Sequence, residues 1–553
     1  MRRRRQFLIG SLGLAALAAA CTSRAVTEPP PPPRPTRGYV LLSIDTLRAD
    51  ALGVYGSQRP TTPFLDRLAA RAVIFENAFA QVPSTLPSHM SMFTGLYPSE
   101  HDVQRPNAVL AEEIPTLPEL FRASGFRTFG HSEGGWMKSY YGFARGFEEW
   151  TDRAYTTNTD VERTLGRGLE SLARLAPGER FFLFLHTYSV HDPYEPPPGY
   201  RGRFWPGPPP AGAFAAQGPN FSAHNGHLLD APPAAREYFR ALYDEGVRYL
   251  DDMLSSFFAE LERRGLADDT TFVLTSDHGE EFLEHGRYAH SQAYPESLHV
   301  PLLVVHPDLG TSARVLDVVE TIDLLPTLAE LSGVATPASL SGRSLVPLVT
   351  GGGRRLAGRA YAQNLFQGVG ERTVIEAVDG RLLQLHVARP RLEQDGFWVS
   401  RELRFDASSE ALELRAVAYH EPRRVAVLAD GEQVAELEVG TDWTRFQVPF
   451  PSARPRRITL RTDACESPAR LGLGTDTRCH SFKLDGLQLS RVELFDLSAD
   501  PFARHDFALE RPPLVRRLAQ LLRLYPETPR SAADAAQIGE EQIRHLKALG
   551  YLQ

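Results

Sequence analysis

One threonine, two strand-end aspartates and a scatter of histidines are the residues of this chain that could do chemistry. Thr85 lies in Pro83-Ser84-Thr85-Leu86-Pro87-Ser88-His89-Met90-Ser91-Met92-Phe93-Thr94-Gly95. Pro87 suits the first position of a helix, where its missing N–H costs nothing, and Gly95 is a stop some two turns later. Thr85 is therefore expected at a helix mouth, where free backbone N–H groups and the positive dipole end favour a phosphate or sulfate. A threonine that merely caps the helix is the other reading of this stretch. A second stretch, Phe272-Val273-Leu274-Thr275-Ser276-Asp277-His278-Gly279-Glu280, is an apolar run of strand length that ends in an Asp-His pair. Tyr39 to Ile44 runs likewise into Asp45, and Phe181 to Leu185 into His186, with His191 and Asp192 close behind. In an open, mostly parallel sheet, sites form at the carboxyl ends of the strands, so distant residues of this kind can converge. His186 is the weaker candidate, since it could simply cap its strand.

The elements that must position these residues are legible in outline. From Tyr39 to about Gly333 the order strand, loop, helix, strand predicts an α/β domain around a parallel sheet. Helical spacing is read over Thr62 to Ala72, Glu119 to Ser124, Tyr243 to Arg264 and Ile322 to Ser332, and further strands over Thr271 to Thr275 and Val300 to Val305. Pro193 to Pro233, rich in Pro, Gly, Ala and Asn, is expected to be a lid or substrate wall, with a disordered segment the alternative. Beyond about Ala388, short alternating strands (Leu412 to Val417, Val425 to Val427, Val434 to Val439, Ile458 to Leu460) with turns such as Asp430-Gly431 predict a β-sandwich module. It would serve glycan binding, interaction or structure. Glu540 to Gln553 reads as a short terminal helix.

With 553 residues, 42% hydrophobic and 23% charged, and a formal net charge of -8, the chain can build at least two domains. A pI near 6.1 and the lack of nucleic-acid motifs exclude nucleic acid as the expected partner. Arg2 to Arg5, then an apolar Phe7 to Ala20 too short to span a bilayer, form a targeting segment that resembles a twin-arginine signal. Ala18-Ala19-Ala20-Cys21 looks like a bacterial lipobox, which would make Cys21 a lipid anchor; plain cleavage after Ala20 is the alternative. Pro29 through Pro33 would extend as a polyproline tether at about 3.1 Å per residue. Cys465 and Cys479, in an exported chain, are expected to pair as a disulfide. The expected organisation is an export or lipoprotein signal at 1–21, a tether at 22–37, a catalytic α/β domain at 38–390, the β-module at 395–490, and a returning strand with terminal helices at 491–553.

Together these residues resemble the sulfatase-like branch of the alkaline phosphatase superfamily. The resemblance rests on Ser43-Ile44-Asp45-Thr46-Leu47-Arg48-Ala49-Asp50, the Thr85 to Gly95 segment, Ser276-Asp277-His278-Gly279-Glu280 with Glu284-His285-Gly286, and Glu493-Leu494-Phe495-Asp496-Leu497 followed by Asp500-Pro501. It implies an alkaline-phosphatase-like α/β sandwich with a central, mostly parallel sheet and the β-module inserted into a carboxyl-terminal hairpin. It also implies that Asp45, Asp277 and His278 bind a metal and that Thr85, itself bound to the metal, is the nucleophile. Carboxylates with an imidazole suit Zn²⁺ or Mn²⁺ better than Ca²⁺ or Mg²⁺, and one ion or two are both compatible with the residues present. A threonine hydroxyl needs such activation near neutral pH.

The chain departs from sulfatases proper, which place a Cys or Ser two residues before the proline, with Arg two residues after it, and convert that Cys or Ser to formylglycine. Thr85, Pro87 and His89 stand at these positions, and Gly130-His131-Ser132-Glu133 stands near the place of the usual Gly-Lys-Trp-His. A threonine nucleophile resembles the phosphodiesterases, phosphoethanolamine transferases and lipoteichoic acid synthases of the superfamily. His89, His191, His285 and His290 are candidates to neutralise the transferring group, with Arg48 and Asp192 further substrate candidates and Asp192 also a candidate ligand for a second metal. The expected activity is metal-dependent hydrolysis or transfer of phosphate or sulfate esters on a small-molecule, lipid-headgroup or glycan substrate. Sulfuric ester hydrolysis without formylglycine is the alternative, and a silent glycan-binding envelope lipoprotein is the alternative from another class.

Overall fold

The strand beginning at Gly38 is buried at every position, which is what a strand covered by helices on both faces requires. The computed structural model describes residues 33–105, 107–152, 160–210, 233–285, 287–309, 313–350, 357–364, 369–390, 397–399, 401–407, 411–450, 456–467, 471, 480–485, 491–508 and 510–525. The signal at 1–21 with Cys21, most of the tether, most of the expected lid, Cys479 and the expected terminal helix lie outside the described residues.

Strands β1 (Gly38–Ile44), β2 (Ala72–Phe79), β3 (Arg127–Ser132), β4 (Glu149–Thr151), β5 (Phe181–Thr187) and β6 (Thr270–Thr275) build the main sheet. β7 (Glu281–Phe282) and β8 (Tyr288–Ala289) form a separate small ribbon, and β9 (His299–Val300), β10 (Leu302–Val305) and β11 (Ala313–Glu320) rejoin the main sheet. Its order is β11-β2-β10-β6-β1-β5-β3-β4, with β9 beside β2. β1 pairs in parallel with both β5 and β6, whereas β10 runs antiparallel to β6 and β2. Alternate residues of β1 feed two cores. Val40, Leu42 and Ile44 face a layer containing the long helix Pro233–Arg263, and Tyr39 and Leu41 face a layer containing the helices Thr85–Thr94 and Leu324–Ser332.

Three sequence expectations shift in detail. The helix expected over Thr62 to Ala72 stops at Leu68, passes through a single 3-10 turn at Ala69–Arg71, and gives way to β2 at Ala72, where Val73 and Ile74 favour extended chain. The strand expected over Val300 to Val305 is split at Pro301, which has no N–H to donate to a ladder. The site helix begins at Thr85, so Pro87 is its third residue and not its first. That position also lacks an intrahelical N–H partner, so the ring is tolerated there. Gly95 ends the helix with φ 66, as expected of a left-handed terminator.

After β12 (Arg359–Asn364), β13 (Val369–Val378) and β14 (Arg381–Pro390), the chain makes β15 (Phe397–Val399), β16 (Glu402–Ala407), β17 (Ala411–Ala418), β18 (Arg423–Ala429), β19 (Glu432–Val439), β20 (Thr444–Pro449), β21 (Arg456–Arg461) and β22 (Phe482–Asp485). These eight form two four-stranded antiparallel sheets, β15-β22-β17-β20 and β16-β21-β18-β19. They enclose a core of their own, including Leu414, Val427, Ile458 and Leu484. Asp430 and Gly431 turn the β18–β19 hairpin with φ of 52 and 88. Cys465 is disulfide-bonded. β23 (Arg491–Asp496) then pairs antiparallel with β14, Ala388 opposite Arg491, so the sandwich is an excursion between two hydrogen-bonded neighbours. No helix among the described residues is long and apolar enough to cross a membrane.

Candidate active site

The three central strands β6, β1 and β5 deliver Asp277, Asp45 and His186 to one edge of the sheet, because they are parallel and in near register: Ser43 lies opposite both Thr275 and His186. The helix Thr85–Thr94, wholly buried, ends on this edge with Thr85 foremost. Thr85 does not cap it. Ser84 is the residue at the cap position, and Thr85 Oγ1 instead donates to Asp45 Oδ2 at 3.1 Å. The same hydroxyl is 3.4 Å from His278 Nε2. Ser88 Oγ donates to the Asp277 carbonyl at 2.6 Å, which ties the helix to the strand end that carries the Asp-His pair.

Local hydrogen bonds set the face each group presents. His278 Nδ1 lies 3.0 Å from the Gly279 carbonyl, so Nδ1–H donates there and the Nε2 lone pair faces Thr85 and Asp277 Oδ2, the latter at 3.3 Å. His89, one turn below Thr85, gives Nδ1–H to the Thr85 carbonyl at 2.9 Å and takes the Ser43 hydroxyl on Nε2 at 2.9 Å. Thr46, next to Asp45, sits at φ 57; its N–H is 3.3 Å from Asp277 Oδ1 and its carbonyl accepts from Tyr243. A β-branched residue at positive φ is strained, and here the strain sits against a metal-capable aspartate.

Electrostatics show what this cluster can hold. Asp45 and Asp277 are fully buried side by side. Burial, then the Asp277 charge, pushes the Asp45 carboxyl well above the usual range. Burial pushes Asp277 the same way, but His278, His89 and His186 outweigh it and hold that carboxyl low. Burial pushes all three imidazoles below the usual histidine range. Two adjacent buried carboxylates cannot both ionise unless a cation joins them. Asp45 Oδ1, Asp277 Oδ2 and His186 Nδ1 are buried without hydrogen-bond partners. Asp45, Asp277 and His278 offer ligand atoms within 4.8 Å of one another, as do His89, His186 and Asp277. A tetrahedral ion with bonds of about 2.0–2.1 Å has ligand-to-ligand edges of about 3.3–3.4 Å. The 3.1, 3.3 and 3.4 Å separations around Thr85, Asp45, Asp277 and His278 match such an edge. The residues present fit a divalent cation.

Further imidazole, carboxyl and phenol groups adjoin the cluster. The His290 ring lies 4.4 Å from that of His278 and 5.2 Å from that of His191. His290 Nδ1 is 3.2 Å from Glu280 Oε1, and burial followed by the neighbouring Asp192 pushes Glu280 well above the usual carboxyl range. His191 Nδ1 is 2.6 Å from the carbonyl of Asp192. Tyr188 packs edge-on between His186 and His191, at 4.7 and 5.6 Å.

The structure thus brings together Asp45, Thr85, His89, Asp277 and His278, with His191, Asp192 and His290 beside them. Arg48 and His285 are not in this cluster. The Arg48 guanidinium, 2% exposed, is consumed by Asp50 and Glu284 and lies between the Phe282 and Phe502 rings. His285 stacks on Tyr294 at 3.6 Å and bonds to Glu296 and the Ala503 carbonyl. His186 is central, not peripheral. Ser43 and Glu280 were not singled out from the sequence, although a serine in the otherwise apolar run Val40 to Ile44, two residues before Asp45 and hence on its face, is a usable signal.

The Sulfatase family matches residues 37–334. A Delta 4,5-hexuronate-2-O-sulfatase of Bacteroides thetaiotaomicron is 25% identical over 348 residues, covering 57% of this chain and 72% of its own length. An arylsulfatase of Clostridium perfringens is 24% identical over 376 residues, covering 56% and 78%. Among solved structures, the phosphonate monoester hydrolase of Agrobacterium radiobacter shares the fold at TM-score 0.56 and 18% identity, over 89% of this chain and 92% of that one.

Proposed function

The chain belongs to the sulfatase family and is a sulfatase-like ester hydrolase, and from that premise we propose that it cleaves or transfers phosphate or sulfate esters through a covalent intermediate on Thr85. The observation that carries the reading is the position of the Thr85 hydroxyl, 3.1 Å from Asp45 Oδ2 and 3.4 Å from His278 Nε2. Asp45, Asp277, His278 and Thr85 would hold a divalent cation, of which Zn²⁺ or Mn²⁺ fits the mixed oxygen and nitrogen donors. Bound there, it supplies Lewis acidity to the hydroxyl and to the oxygens of the transferring group.

The chain's own residues do the rest. Thr85 Oγ1 attacks phosphorus or sulfur in line, its proton directed at Asp45 Oδ2, and the ester alkoxide leaves. Glu280, kept protonated by burial, donates to His290 Nδ1, so that His290 presents Nε2–H to a non-bridging oxygen. His191, its ring held by Nδ1 on the Asp192 carbonyl, is placed beside His290 to take the proton of the water or alcohol that resolves the intermediate. The likeness in fold to a phosphonate monoester hydrolase supports the phospho-ester reading, and the sulfatase relatives support the sulfuric one. Glycan esters are a substrate class consistent with the relatives' names. The basic and apolar head of the chain and Cys21 support placement at a bacterial envelope, anchored by lipid.

The test is a matched panel of aryl sulfate, phosphate monoester, phosphodiester and phosphonate monoester on zinc- or manganese-loaded protein beside Thr85→Ala. Turnover of a phospho-ester that falls at least a thousandfold in the variant supports the threonine mechanism. Turnover unchanged in Thr85→Ala overturns it, and sulfate turnover alone, lost in the variant, assigns the threonine to a sulfatase.

A further inference from the structure

We propose that His186 is an additional nitrogen ligand of the cation site, making the set Asp45, Thr85, His186, Asp277 and His278. The inference rests on the cation reading above and concerns a strand-end residue that the sequence ranks as the weaker candidate.

His186 is fully buried at the end of β5, directly opposite Ser43 of β1 on one side and Ser132 of β3 on the other. Its ring is fixed edge-on between His89 and Tyr188, 4.7 Å from each at 87° and 88°. That packing aims Nε2 at Asp45 Oδ2, 3.3 Å away, while Nδ1 has no hydrogen-bond partner. The contact is longer than the usual N–H···O hydrogen bond of about 2.7–3.2 Å. At 3.3 Å the pair instead has the separation of two donors on one ion, the same separation found between His278 Nε2 and Asp277 Oδ2. Asp45 Oδ2 is then common to the edges it makes with Thr85 and His186. His89 is the other imidazole near Asp277, but both of its nitrogens are committed, to the Thr85 carbonyl and to Ser43. Two imidazoles with two carboxylates and a hydroxyl form a donor set for a transition ion, and they disfavour Ca²⁺ and Mg²⁺ more strongly than one imidazole does.

The experiment counts imidazoles. X-ray absorption at the zinc edge of the full chain, loaded with one equivalent of Zn²⁺, should show two imidazoles per ion, falling to one in His186→Asn. The zinc Kd, measured by competition with a chelating dye, should weaken at least 100-fold in that variant, beyond the 10–100-fold typical of residues that only support a ligand. One imidazole in the parent protein overturns the proposal, and that reading needs no variant to fold. An unchanged Kd in a folded His186→Asn also overturns it. Two zinc ions per chain, one lost in the variant, would overturn the shared site in favour of a separate ion on His89, His186 and Asp277. Failure of the parent to bind zinc or manganese at all would instead sink the cation reading itself.

Discussion

Ser43 Oγ and His89 Nε2 lie 2.9 Å apart, so the strand that ends in Asp45 is hydrogen-bonded to the helix that begins at Thr85. The pair sits where water does not reach, both residues being fully buried. Ser43→Ala leaves an imidazole nitrogen unsatisfied and is expected to cost about 1–3 kcal/mol of stability. It should also lower ester turnover about tenfold, because His89 holds the Thr85 carbonyl, a cost in line with a misplaced catalytic group. Urea denaturation at neutral pH measures the first effect; a variant as stable as the parent would remove the bond from the account.

Metal affinity should rise with pH. Burial and Asp277 raise the Asp45 carboxyl, so in the metal-free protein near neutrality it holds a proton that an arriving cation must displace. The Kd should therefore fall as pH increases, by up to about tenfold per unit for one displaced proton. Calorimetry in two buffers of different ionisation enthalpy should report about one proton released per ion; none released would contradict the assignment.

Glu133 gives a pH signature far from any metal ligand in sequence. It accepts from the Tyr188 N–H at 2.8 Å and from Thr164 at 3.0 Å, and burial pushes its carboxyl up to about 7. The folded state therefore binds more protons than the unfolded state between about pH 4.5 and 7, so stability falls as pH rises through that window. The full penalty, about 3 kcal/mol for a shift of this size, is present above it. Glu133→Gln carries no such penalty. Between pH 5 and 8 its stability should gain about 1–3 kcal/mol relative to the parent, read from urea midpoints at the two pH values. A constant offset between the two proteins would refute the account.

Gly279 is fixed by contact with backbone. A Cβ there would lie 2.0 Å from the Glu296 carbonyl oxygen, beside the bond from the Gly279 N–H to the Ser297 carbonyl. Gly279→Ala must displace main chain next to His278, at a cost of about 1–3 kcal/mol or more. Zinc affinity should weaken at least tenfold, as supporting groups of a metal site do when disturbed. Binding unchanged in a zinc titration would show that the segment yields without moving His278.

Asp45, Asp277 and Thr85 were legible because an apolar run that stops at an acid, or a proline-marked helix mouth, announces an element end, and element ends are where α/β sheets place chemistry. Arg48 and His285 looked equally good by type. Their partners, Glu284 and Glu296, are equally plain in the sequence, but nothing local says which charge will pair and which will stay open. The place of His186 is less legible for the converse reason: what it meets depends on which strand lies beside β5, and register is a property of the sheet. The β2 strand was hidden behind a helical period that ran on to Ala72. The alternation of the sandwich strands was clear because each has one face on the small core they share.

The excursion between β14 and β23 bears on how the chain reaches its native state. The two strands are adjacent, yet about 100 residues separate Pro390 from Arg491. Closing a flexible loop of that length costs about 4 kcal/mol of chain entropy by the logarithmic rule. A sandwich that condenses first, on its own core, has already brought the two ends together. Pairing of β23 with β14 is then a local event, and a module that folds first acts as a clasp on the two strands.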